Sequence, residues 1–383
     1  MTRHAVAADA VFDGEVLHRD HAVVVEDDSI LRLIPAGNVP PSIPVRRLPQ
    51  GVWLAPGFID VQVNGGGDVL FNDAPTAHGI AAIVAAHRRF GTTTLLPTLI
   101  TDTPDKMRAA RDAVAAAMRH EPGVLGIHFE GPFLSPERPG VHDPRLIRIP
   151  DADDLDFLRQ PGPGVTVVTL APERVPADFV AALVKAGVRV CLGHSAASYD
   201  ETRAALAEGL AGFTHLFNAM PPLLARAPGP AAAALEAASA WYGLIVDGVH
   251  VAPAMLCLAL RGAGRPMLVT DAMPPVGGRG SGFRLYGDEI AVAEGRCVRA
   301  DGTLAGSALD MATAVGNCVR LLGLALPDAL RLASAAPATF LGLENRLGFL
   351  KPGRRADMVA LDPDSIAVLC TWVAGREYDF SAD

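Results

Sequence analysis

The sequence predicts an α/β chain: a (β/α)8 barrel of the TIM type with a small β-sandwich domain built from both chain ends. Three observations carry this expectation. Eight short apolar runs alternate with helically spaced segments between Trp53 and Thr270. Four of those runs end on an ionisable side chain: Glu130, His194, His215 and Asp271. Strand-like runs also lie near both termini. In a barrel of parallel strands the C-terminal tips converge on one face, where active sites sit. One ionisable ending means little, but four in order are hard to ascribe to packing.

The elements follow in order. Residues 21–26 and 29–34 read as short strands bounded by the turn signals Asp27-Asp28 and Pro35-Ala-Gly37. Residues 356–362 and 366–373 read the same way. Neither end has enough strands to stand alone, so the two ends pair. This makes residues 1–52 plus 345–383 one small domain and leaves 53–344 for the barrel. The barrel strands are expected at 58–63, 92–96 (stopped by Pro97), 124–130, 164–170, 187–194, 212–215, 241–246 and 267–270. Helical spacing is seen at 76–90, 104–119 (Thr103 as N-cap), 177–186, 199–208, 230–240 and 252–261. Residues 277–302 read as a β-hairpin excursion, and 311–322 and 327–336 as closing helices.

Composition narrows the function. Half of the 383 residues are hydrophobic, enough for a large core, and the net charge of −9 argues against nucleic acid or an anionic membrane as partner. No run reaches the roughly 20 apolar residues of a membrane-spanning helix. The N-terminus lacks a signal-peptide pattern. Cys191, Cys257, Cys297, Cys318 and Cys370 are scattered and odd in number, which suits free thiols in a reducing cytoplasm.

Glu130, His194 and His215 are candidate metal ligands, because three N and O donors with a fourth position left for water form the usual catalytic zinc set. The bland reading of a lone strand-end histidine is a hydrogen-bonded structural one, and it weakens when three endings share a face. Asp271 is the candidate general base, since a carboxylate beside metal-activated water can take its proton. Its alternative is a turn cap. His128 alternates onto the face of Glu130 and is expected behind the ligands rather than among them. The run Asn64-Gly-Gly-Gly67 lacks the Gly-Lys-Ser/Thr ending of a phosphate loop and reads as a turn.

Several blocks together resemble the N-acetylglucosamine-6-phosphate deacetylase family of the amidohydrolase superfamily. They are His128-Phe-Glu-Gly-Pro-Phe133, Gly193-His-Ser195, Thr214-His-Leu-Phe-Asn-Ala-Met-Pro221, Val246-Asp-Gly-Val-His250 and Leu268-Val-Thr-Asp271. Pro56-Gly-Phe-Ile-Asp-Val-Gln-Val-Asn-Gly65, Gly302-Thr-Leu-Ala-Gly-Ser-Ala308 and Leu350-Lys-Pro-Gly-Arg-Arg-Ala-Asp357 extend the resemblance over about 50–360. The resemblance implies deacetylation of a phosphorylated amino sugar by a metal-dependent hydrolase barrel. It places Glu130, His194 and His215 on metal-ligand positions and Asp271 on the acid/base. Val141, His142, Asn218, Ala219, Arg226, Asp247, Gly248, Val249, His250, Leu304, Ala305 and Gly306 fall on substrate-binding positions.

It also implies a homodimer in which Arg226 reaches the phosphate in the neighbouring active site. His142 would stabilise the oxyanion, and His250 would be a second cationic group for the phosphate. The bland readings are a surface arginine for Arg226 and a loop histidine for His142. Many superfamily members carry His-x-His at the end of the first strand, for a second metal; here Gln62 and Asn64 occupy those positions. Amides are poor zinc ligands beside imidazole, so one divalent metal per chain is expected, Zn2+ first, with Fe2+, Mn2+ or Co2+ as alternatives. The rival functions are deacetylation of N-acetylgalactosamine 6-phosphate or of an unphosphorylated acetamido sugar, and a non-catalytic scaffold.

Overall fold

The computed structural model describes residues 2–293 and 295–380. Eight parallel strands stand side by side in chain order: Phe58–Val63, Thr92–Ile100, Gly126–Glu130, Val165–Leu170, Arg189–Leu192, Gly212–Phe213, Trp241–Leu244 and Arg265–Leu268. The ring closes just past the last strand. Asp271 N–H donates to Gln62 O at 3.1 Å, Asn64 N–H donates to Ala272 O at 2.9 Å, and Val63 bridges Ala272. Every residue of the first two strands is buried, as expected for a parallel sheet covered on both faces.

The second strand runs through Pro97, where the sequence reading ended it. Proline has no N–H for a ladder and is tolerated where pairing is irregular. The register between the first two strands shifts between Asp60 and Val63, opposite Pro97, and Val63 N–H donates instead to Thr98 Oγ1 at 2.9 Å. The helix Pro104–Ala117 starts as expected, with Thr103 accepting from Lys106 N–H and proline in the first turn. Ala152–Arg159 is a helix the periodicity reading omitted, although Asp151 and Asp154 form a reciprocal capping box at its start.

The two chain ends do share a sheet. Its order is Arg376–Asp379, Val368–Val373, Met358–Leu361, Trp53–Pro56, Arg3–Phe12, Leu17–Glu26 and Ser29–Pro35, with Val45–Arg47 paired alongside Arg3–Phe12. The sheet curls on itself. Trp372 and Met358 share one core with Val23, Val25 and Ile30, and Gly375 comes against Asp27 and Val25. Arg3–Phe12, unrecognised in the sequence, holds four alanines. Alanine is a poor strand former, and here pairing on both sides overrides that preference.

The expected hairpin excursion is a four-stranded antiparallel sheet: Gly282–Leu285, Asp288–Ala293, Arg296–Val298 and Leu304–Ser307. It sits over the barrel mouth. Leu285, Ile290 and Cys297 pack with Ile100, Val141 and Met273, and Ser307 N–H donates to Asp271 O at 2.9 Å.

Candidate metal centre and substrate cavity

The four ionisable endings meet. Glu130 closes its strand, and His194, His215 and Asp271 lie two or three residues beyond theirs. The latter three sit in the left-handed region, with φ of 48°, 31° and 52°. Such backbone is disfavoured for residues with a Cβ and concentrates at functional positions. His215 Nε2 lies 3.0 Å from Glu130 Oε1, His194 Nε2 lies 3.2 Å from the same oxygen, and the two Nε2 atoms are 3.1 Å apart. Burial opposes ionisation of Glu130, but the two imidazoles against its Oε1 outweigh it and hold its carboxyl well below the usual range. His194 Nδ1 donates to Arg138 O at 3.0 Å, so its Nε2 presents a lone pair to the cluster. Three converging electron-pair donors, all buried, suit one divalent cation.

Gln62 and Asn64 direct amide N–H groups at the carboxylates. Gln62 Nε2 donates to Glu130 Oε2 and to Asp271 Oδ1, both at 3.1 Å, and Asn64 Nδ2 donates to Asp271 Oδ1 at 2.7 Å. As donors to anions they orient the acid groups; they do not present oxygens as a second ligand pair. Burial, then the charge of Glu130, pushes Asp271 up to about 6. A carboxylate so placed is matched to proton transfer near neutral pH. Asp60, one layer below, is pushed up to about 7 by burial and accepts from the Thr270 hydroxyl. His128 turns its nitrogens to Val61 O (3.0 Å) and Thr169 Oγ1 (2.8 Å), and burial lowers it to about 4.

A cavity of about 380 Å³ opens over this centre. Of the sequence-derived candidates, Asn64, Glu130, Val141, His142, His194, His215, Asn218, Ala219, His250, Asp271, Leu304 and Gly306 line it. His142 is buried beside the candidate ligands, its ring centroid 4.3 Å from that of His194, and burial holds it well below its ordinary value. His250 is oriented by Asp247, whose Oδ2 lies 2.6 Å from its Nδ1 and whose Oδ1 accepts from Val249 and His250 N–H. Asp247, Gly248 and Val249 thus shape the loop, and Ala305 packs behind the wall. Arg226 does not enter the cavity of its own chain; it is exposed, beside the exposed apolar side chains Leu223 and Leu224.

Sequence reasoning missed Arg138, Thr101 and Tyr286. Arg138 lines the cavity and seats His194 through its carbonyl. Thr101 touches His142 across 41 residues of chain, a contact with no local signal.

The amidohydrolase family model matches residues 53–378. An N-acetylgalactosamine-6-phosphate deacetylase of Shewanella sp. (strain ANA-3) is 44% identical over 338 residues, which is 87% of this chain and 84% of that protein. An N-acetylglucosamine-6-phosphate deacetylase of Haemophilus influenzae is 34% identical over 363 residues, 94% of each chain. The crystal structure of N-acetylglucosamine-6-phosphate deacetylase from Pasteurella multocida superposes with a TM-score of 0.95 at 33% identity, over 99% of this chain and 100% of that one.

Proposed function

Since this chain belongs to the amidohydrolase family, we propose that it hydrolyses the acetamide of N-acetyl-D-glucosamine 6-phosphate to D-glucosamine 6-phosphate and acetate. The observation that carries the reading is the meeting of Glu130, His194, His215 and Asp271 in one cavity. Glu130, His194 and His215 would hold a single divalent cation. Zn2+ is favoured by this donor set, while Fe2+, Mn2+ and Co2+ suit it too. A cation there would lower the pKa of water to near ~7 and polarise a carbonyl.

The chain's own groups do the rest. Asp271 takes a proton from the water that attacks the acetyl carbon. His142 hydrogen-bonds the carbonyl oxygen as negative charge develops on it. Asp271 then returns the proton to the sugar nitrogen as the C–N bond breaks. Asn218, Ala219, Val141 and residues 304–306 wall the sugar. His250, set by Asp247, meets the phosphate together with Arg226. Because Arg226 lies outside its own cavity, it serves the second subunit of a homodimer, with Leu223 and Leu224 beside it at the interface. No helix among the described residues is long and apolar enough to cross a membrane. The five cysteines are free, which supports a reducing, cytoplasmic setting.

A second reading, the N-acetylgalactosamine 6-phosphate epimer, is favoured by the 44% identity to the Shewanella relative. The test is acetate release from both 6-phosphates and their dephosphorylated forms, with metal content measured on the same sample. Release confined to one or both phosphosugars is expected. No release from any of the four by the metal-loaded enzyme would overturn the assignment.

A further inference from the structure

A neutral histidine donates toward a carbonyl with whichever ring nitrogen keeps the proton, so the tautomer of His142 decides whether it can serve the reaction. Thr101, just past the second barrel strand and 1% exposed, dictates that choice. Its backbone N–H can only donate, and it meets His142 Nδ1 at 3.3 Å. Nδ1 is therefore the acceptor, and the 2.7 Å contact between Nδ1 and Thr101 Oγ1 is a hydroxyl donating to nitrogen. The proton of the neutral ring then resides on Nε2, on a ring that lines the cavity.

Thr101 is itself held in place. Its carbonyl accepts from the Tyr286 hydroxyl at 2.5 Å. The phenol thus ties the inserted sheet to the segment that makes the Thr101–His142 contact. Tyr286 stands at the tip of the four-stranded insertion, in a two-residue turn set by Leu285 facing Asp288. Both turn residues have positive φ, 52° for Tyr286 and 92° for Gly287. Asparagine or glycine is the usual first residue of such a turn. A tyrosine kept in a disfavoured conformation marks a position selected for something other than turn stability.

We propose that Thr101 and Tyr286 are positioning residues that lock His142 in the Nε2–H tautomer, which makes the inserted sheet a working part of the active site. The proposal rests on the reading of His142 as the donor to the acetyl oxygen, and the test separates the two. Long-range 1H–15N spectra of the metal-loaded enzyme, with His142 assigned by its loss in His142→Gln, should show Nδ1 unprotonated and Nε2 protonated; a protonated Nδ1 overturns the lock whatever the enzyme's activity.

In turnover, Thr101→Val should lower kcat about tenfold with KM within about twofold, and Thr101→Ser should restore it. Tyr286→Phe, which keeps the ring, should lower kcat about fivefold without loss of bound metal. A KM-only effect, or Thr101→Ser no better than Thr101→Val, would refute the positioning role. Full turnover by His142→Gln, with the tautomer as stated, would instead sink the oxyanion reading and leave the lock standing.

Discussion

Replacing Asp271 with asparagine should raise stability while abolishing most turnover, and both magnitudes follow from the site. The carboxylate is buried and lies near Glu130, which moves it from 3.8 to about 6. Between those pH values the folded protein keeps a proton that the unfolded chain releases. Stability from this group is therefore lost as pH rises through about 6, and at pH 7 the ionised form carries a penalty of about 3 kcal/mol. A neutral amide escapes it. Both donors to the group, Gln62 Nε2 and Asn64 Nδ2, meet Oδ1. An asparagine with its oxygen at that point keeps both hydrogen bonds and leaves Glu130, His194 and His215 undisturbed. Loss of a positioned acid/base costs about 10²- to 10⁴-fold in rate, or roughly 3–5 kcal/mol of barrier. The assay is acetate release at saturating substrate with metal content on the same preparation, and urea unfolding after chelation. Turnover within about tenfold of the parent, or a chelated variant less stable than the chelated parent, would refute the reasoning.

Elemental analysis should find one equivalent of divalent metal per chain, lost in Glu130→Gln; two equivalents would contradict the donor roles of Gln62 and Asn64. The acid limb of kcat should lie at or below about pH 6, because Asp271 must be ionised to act and a bound cation pulls it further down; a limb above pH 7 would exclude Asp271 as the base. Burial lowers His87 and His128 to about 4, so below 6.5 the unfolded chain takes up protons that the folded one refuses. Stability should fall by about 3 kcal/mol per histidine as pH drops from 6.5 to 4, and His87→Gln should flatten that decline in urea titrations. At Gly131 the backbone has φ of +90°, and an added Cβ would lie 2.2 Å from Thr101 Oγ1. Gly131→Ala should cost about 3 kcal/mol and depress kcat by displacing Thr101; an unchanged urea midpoint would count against that packing.

The alternation of apolar runs with helical spacing, and an ionisable residue at four of the strand ends, were local facts of the chain. They were enough to place Glu130, His194, His215 and Asp271 on one face, since a strand's tip follows from its own pattern and the barrel gathers the tips. The second strand's length and the alanine-rich strand Arg3–Phe12 escaped that reading, because each depends on a partner strand more than on its own residues.

By itself, the sequence determined the barrel and the gathering of three candidate ligands and a candidate acid at its strand ends, because periodicity and strand termination are properties of neighbouring residues. Tertiary structure alone decided how those groups are held. Gln62 reaches Asp271 across 209 residues and Tyr286 reaches Thr101 across 185. Such hydrogen bonds exist only once the ring closes and the insertion folds over its mouth, so the proton positions they dictate are set by closure, not by any stretch of chain.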